Sequence, residues 1–179
     1  NEDLWVKIRD GIIDKDFLRK HRFYDTFLHF GIDDEQLAQY FEKHFLDEII
    51  NFNELIPQTI EILEYLKEKG YQLHVVSNGF HEVTNRKVEK SGLKKYFKTV
   101  TSAEDAHAMK PDERIFEYSL NLANAEKSES IFIGDDWVAD VKGAQNFGLD
   151  IIFFDALKEN KSEEGLKTIQ NLEEIKNFL

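Results

Sequence analysis

Cysteine is absent from the 179 residues. That removes disulfides, thiolate nucleophiles and cysteine-ligated zinc, and agrees with a reducing compartment. Basic residues are scarce: 23 Lys and Arg face 35 Asp and Glu, a net charge of −12. A nucleic-acid surface needs clustered cations for its phosphates, so this balance speaks against one. A small anionic ligand stays compatible, provided a lysine or a metal ion concentrates positive charge locally. No apolar run approaches the ~18 residues needed to cross a bilayer, and no signal peptide is recognisable. The expectation is a soluble cytoplasmic protein, monomeric or homodimeric, with no membrane partner. His21, His29, His44, His74, His81 and His107 show no HxH or HxxxH spacing, which argues against a histidine metal site. Neither GxSxG nor GxxxxGK[ST] occurs, setting aside a serine elbow and a P-loop.

What is present is enough for a core: 41% hydrophobic residues, among them 15 Phe. The first 50 residues read as helices. Asp14 precedes an apolar-periodic segment that ends near Gly31, and Asp33, with Gln36 three positions on, reads as the cap of a second helix. From Pro57 the pattern changes. Pro57 suits a first helical turn and Gly70 a helix stop. Four short apolar runs then alternate with helical stretches: YQLHVVSNG, KTVTSAE, IFIG and DIIFFD. A helix from Glu82 to Ser91 follows the first, Lys110-Pro111 opens another, and Asp140 to Phe147 forms a third. The tail reads as a strand near Thr168-Ile169 and a helix capped by Asn171. Strands alternating with helices imply βαβ units, hence a parallel sheet covered on both faces. Ligands on such sheets bind at the carboxyl ends of the strands.

Three clusters fall at those ends. In IFIGDDWVAD, Asp135, Asp136 and Asp140 crowd together after an apolar strand. A hard cation such as Mg²⁺ takes one or two carboxylates and keeps positions for water and phosphate; loop and helix-cap duty is the other account of the same residues. Ser77-Asn78-Gly79 ends a strand before a helix, which suits an anion, although it is also ordinary turn chemistry. Lys110, held by Pro111, could be aimed at the same rim to neutralise phosphate, or could be a solvated surface lysine.

In this order the three clusters resemble the signatures of the haloacid dehalogenase (HAD) superfamily: HVVSNG, AMKPDERIF and IFIGDDWVAD. The resemblance spans about residues 53–179 and implies a Rossmann-like three-layer α/β/α core. Residues 1–52 resemble the later half of the family's helical cap. It further implies that Ser77, Asn78 and Gly79 bind a phosphoryl group and that Lys110 neutralises nucleophile and phosphate. Asp135 would ligate Mg²⁺ and Asp140 would act in its outer shell. Asp136 stands where the family more often has Ser or Thr, so its metal role is open. SNGF, MKPDERIF and GDDWVAD look most like the pyrimidine-nucleotide 5′-nucleotidase branch. The implied function is a Mg-dependent phosphomonoester hydrolase working through an aspartyl-phosphate on a small phosphorylated metabolite such as a nucleoside monophosphate. The alternatives are a 2-haloacid dehalogenase, which also favours Ser-Asn-Gly, and a non-catalytic phospho-ligand module.

One family signature has no good match. Members open with a strand ending in DxDx[TV], whose first Asp is the nucleophile. The only DxD here, Asp14-Lys15-Asp16, follows three apolar or small residues and runs into a helical pattern. The nucleophile is therefore expected on a segment N-terminal to Asn1, the chain alone is expected to be inactive, and the strands flanking the missing one should have unpaired edges.

Overall fold

The computed structural model describes residues 2–179, Glu2 by its backbone alone. The chain divides into two compact units, residues 1–53 and 54–179.

The first unit is helical: α1 (Glu2–Arg9), α2 (Lys15–His29) and α3 (Glu35–Ile49). Asp14 caps α2, its carboxylate accepting from the Phe17 N–H at 2.8 Å. The cap of α3 is Asp34, bonded to the Leu37 N–H at 2.9 Å, not the expected Asp33, whose carboxylate instead accepts the Tyr24 hydroxyl. Between α2 and α3 the Arg22 guanidinium is buried against Glu42 at 2.6 and 3.1 Å and lies 4.5 Å from the Phe45 ring centre. Arg19 completes the cluster by donating to the other Glu42 oxygen at 3.2 Å. The buried Arg22 and Glu42 are thus paired where water is excluded, while Arg19 reaches Glu42 from a partly exposed position.

The second unit follows the alternation: α4 (Thr59–Glu68), β1 (Leu73–Ser77), α5 (His81–Lys90), β2 (Phe97–Ser102), α6 (Ala103–Ala106), α7 (Glu113–Ala123), β3 (Ile131–Gly134), α8 (Gly143–Phe147), β4 (Asp150–Phe154) and β5 (Lys167–Ile169). Several boundaries differ from expectation. Pro57 precedes α4 because Pro57-Gln58 form the middle of a turn, with Gln58 at φ 68°, ψ 8° and the Thr59 N–H returning to the Ile56 carbonyl at 3.1 Å. Pro111 lies two residues ahead of α7, whose cap is Asp112. The segment expected as one helix from Asp140 starts earlier, as a π-helical turn over Trp137–Lys142 capped by Asp136, and continues as α8. The tail over Leu172–Asn177 is a 3-10 helix, and the Asn171 side chain bonds Glu174 rather than capping it.

All strand pairs are parallel, but they form two sheets among the described residues: β1–β2, and β3–β4–β5. Side-chain alternation sorts both sheets onto the same two cores. Val76, Phe132, Ile151 and Phe153 face Ile115 and Phe116 of α7 and Ala144 of α8. Leu73, Ile131, Ile133, Ile152 and Phe154 face Ile62 and Leu66 of α4 and Ile175. The fold is therefore α/β, with helices on both sides of parallel strands. One detail departs from a continuous sheet. β1 pairs only with β2 and β3 only with β4, and both strands are half-buried along their whole length, whereas Ile151 to Phe154 of β4 are buried.

Candidate active site

The carboxyl ends of β1, β2 and β3 bring the sequence's three clusters together. β1 ends at Ser77, in register with Ser102 of β2. The Ser77 Oγ accepts the Gly79 N–H at 3.0 Å, and the Thr84 hydroxyl from the first turn of α5 reaches it at 3.4 Å. Both donors arrive at the oxygen, so the Ser77 O–H remains available to donate. Gly79 is needed for space: a Cβ there would lie 2.7 Å from the Thr84 Oγ1.

Lys110 is 9% exposed, not a solvated surface residue. Its ammonium donates to the Val76 carbonyl of β1 at 3.2 Å and to the Asp140 Oδ1 at 2.6 Å, and sits 5.5 Å from the Phe132 ring centre of β3. A single cation thus joins the ends of the two sheets. Its third N–H has no oxygen acceptor among the described residues and remains for a ligand. The Lys110 backbone is fixed as well, its N–H donating to the Asn78 Oδ1 at 2.7 Å and its carbonyl accepting from the Asn78 Nδ2 at 3.0 Å.

The three aspartates divide their labour. Asp140, 3% exposed, spends one oxygen on Lys110 and the other on the backbone N–H groups of Asp135 and Asp136, both at 3.0 Å. This shapes the loop after β3, and only glycine fits at 134, because a Cβ would meet the Asp140 carboxylate at 2.4 Å. Asp136 is a helix cap, accepting the Val138 and Ala139 N–H groups at 2.9 and 2.7 Å. Asp135 is exposed, and its carboxylate makes no hydrogen bond or ion pair among the described residues. No group of three His, Asp or Glu able to hold a metal exists among them. Asp135 alone of the three aspartates offers an unengaged carboxylate to a cation, and magnesium commonly takes one or two carboxylates with water and phosphate in its remaining positions. Trp137 borders the loop, its ring 5.3 Å from Phe153 of β4 and covered by the Lys142 ammonium at 5.3 Å.

Several participants had no sequence signal. The Val76 carbonyl, Thr84 and Phe132 reach the site by tertiary placement alone. A second tie joins α5 to α6: the His81 N–H and ring bond Glu104 and Asp105 at 2.6 and 2.7 Å. Burial pushes the Asp105 carboxyl up, but hydrogen bonds from the Ser102 hydroxyl and N–H, together with His81, outweigh it and hold the group below its usual value. In the helical unit, Arg19 and Arg22 are engaged by Glu42, Tyr24 by Asp33 and His21 by Asp25.

A lysine–aspartate pair and a serine turn at the carboxyl ends of parallel strands, with helices on both faces, agree with the arrangement that the haloacid dehalogenase resemblance implies. The profile of the haloacid dehalogenase-like hydrolases matches residues 14–154, and the chain belongs to that family. It is similar to the pyrimidine 5′-nucleotidase PynA of Streptococcus pneumoniae, at 29% identity over 86% of this chain and 65% of that protein. To the pyrimidine 5′-nucleotidase YjjG of Escherichia coli it is 25% identical over 100% of this chain and 79% of the relative. The fold matches the crystal structure of the HAD-hydrolase YfnB of Bacillus subtilis bound to magnesium, with a TM-score of 0.88 at 23% identity, over 99% of this chain and 78% of that one.

Proposed function

We propose that the natural protein carrying this chain is a Mg²⁺-dependent phosphomonoester hydrolase acting through an aspartyl-phosphate, with nucleoside 5′-monophosphates as its substrates. The observation that carries this reading is the buried Lys110–Asp140 pair beside Ser77, with an unengaged Asp135 on the same rim. The nucleotidase names of PynA and YjjG support the substrate class. Ser77 would donate its O–H to a phosphoryl oxygen, and Lys110 its third N–H to the same group, neutralising charge that builds during transfer. Magnesium at Asp135 would add Lewis-acid neutralisation of phosphoryl oxygens. The transferred group would pass from the phosphomonoester to an aspartate and then to water, with the departing alkoxide receiving a proton.

Asp14 caps a helix, its carboxylate taken by the Phe17 N–H, which argues against it as the attacking aspartate. We assign that aspartate to a strand pairing between β1 and β3, whose unpaired edges border the same two cores. The 179-residue chain by itself is then expected to release no phosphate. A second reading, a module that binds a phosphorylated ligand without turnover, draws on the lack of a strand ending in DxDx[TV] in the sequence. Phosphate release from nucleoside and sugar monophosphates, with Mg²⁺ or EDTA, tests both. Turnover by the natural protein should depend on Mg²⁺ and fall about 100-fold or more in Lys110→Ala and in Asp135→Asn. EDTA-insensitive halide release from 2-haloacids would instead support a dehalogenase. Nucleotide binding without release would support the binding module.

A further inference from the structure

The Ser77-Asn78-Gly79 turn holds a side chain that reaches across to another segment of the chain. Both ends of the Asn78 carboxamide bond one residue 32 positions away: Oδ1 accepts the Lys110 N–H at 2.7 Å and Nδ2 gives one of its two N–H donors to the Lys110 carbonyl at 3.0 Å. A reciprocal pair of this kind needs a donor and an acceptor on a short planar group, and asparagine supplies both. Aspartate would offer a second acceptor to a carbonyl, and alanine would offer nothing. At the far end of the same residue the ammonium is already placed between the Val76 carbonyl and Asp140. Lys110 is therefore held at its backbone by the turn that carries Ser77 and at its head by the Val76 carbonyl of β1 and by Asp140 of the π-helical turn. We infer that Asn78 is a positioning residue for Lys110 and not a phosphate ligand. Its carboxamide fixes where the lysine backbone leaves the β1 turn, so that the ammonium and the Ser77 hydroxyl address one anion.

The inference rests on reading Lys110 as the group that meets the phosphoryl charge, and its test separates the two. One readout needs no activity: the rate at which acetic anhydride acetylates each lysine, resolved by mass spectrometry. Lys110 should react slowly in the unaltered chain, and its rate should rise about tenfold in Asn78→Ala while the remaining lysines are unchanged. Asn78→Asp, which preserves shape, should expose Lys110 in the same way, and circular dichroism identifies any variant that has unfolded. In the natural protein both variants should lower kcat by about ten- to 100-fold with little change in KM, because two lost hydrogen bonds displace a group acting in the transition state. Unaltered Lys110 acetylation in both folded variants, or a rise in KM with kcat preserved, would overturn the positioning role and make Asn78 a ligand to phosphate. Should Lys110→Ala retain full turnover, the function assigned to Lys110 fails, while the acetylation result still decides the clamp.

Discussion

At the scale of single residues, Lys110 and Asp140 show how little freedom the site has. Removing one partner of a buried, hydrogen-bonded ion pair typically costs about 3–5 kcal/mol, since the other charge is stranded away from water. Asp140 keeps two backbone donors when Lys110 is lost, which softens the penalty on that side. Gly134 is the more instructive position. Its Cβ would have to occupy space held by the Asp140 carboxylate, so Gly134→Ala must move either the aspartate or the strand. Urea denaturation should register a loss of about 1–3 kcal/mol for this one added carbon. The sequence could announce Asp135, Asp136 and Asp140 as a group, because their crowding is local. It could not distribute cap, buried anchor and unengaged carboxylate among them, because the deciding partner of Asp140 is a lysine 30 residues away. Asn78 was legible as turn chemistry for the same local reason, and its bond to Lys110 was not.

At the scale of elements, strands and helices were readable wherever periodicity and punctuation agreed. Gly70, Gly92 and Gly148, all with φ near +80°, end helices or their turns where expected. Boundaries slipped where two good candidates competed, as with Asp33 and Asp34, and the difference was made by Tyr24 taking one of them. The division of the strands into two sheets was not readable from any one segment, since pairing is a property of partners. β1 carries a pH consequence of its own. His74 hydrogen-bonds the Thr99 hydroxyl at 2.7 Å, and burial, reinforced by nearby Lys98, holds its pKa below the usual histidine value. The folded chain then binds this proton less readily than the unfolded chain. The contribution is fully present above the unfolded value of about 6.5 and is lost as the pH falls from there through the lowered folded value. Denaturation midpoints measured from pH 7.5 down to 5 should decline more steeply for the native sequence than for His74→Gln, the gap between the two changing little above about pH 7.

At the scale of the whole molecule, the two units are each closed by their own interior. Leu18, Ala38 and Ile50, with the Arg22–Glu42 pair, serve residues 1–53. Two apolar clusters on opposite faces of the strands serve residues 54–179. The segment joining them, residues 51–56, has no regular secondary structure, and such stretches are preferred sites of proteolytic nicking. Limited proteolysis should cut there first and leave a fragment beginning near Glu54 that keeps its α/β circular dichroism signal. Rapid degradation of both halves would show that neither interior suffices alone. Among the described residues no helix is long and apolar enough to cross a membrane.

Trp137 gives the loop after β3 an optical property. The chain has two tryptophans, and the other, Trp5, belongs to the helical unit. Trp137 lies two residues from Asp135 in the sequence, with Phe153 against one side and the Lys142 ammonium over its ring. Indole emission is sensitive to nearby charge, so a dication or a phosphate bound at this rim should shift the protein's own fluorescence, and replacing Trp5 with phenylalanine leaves a single emitter to read it.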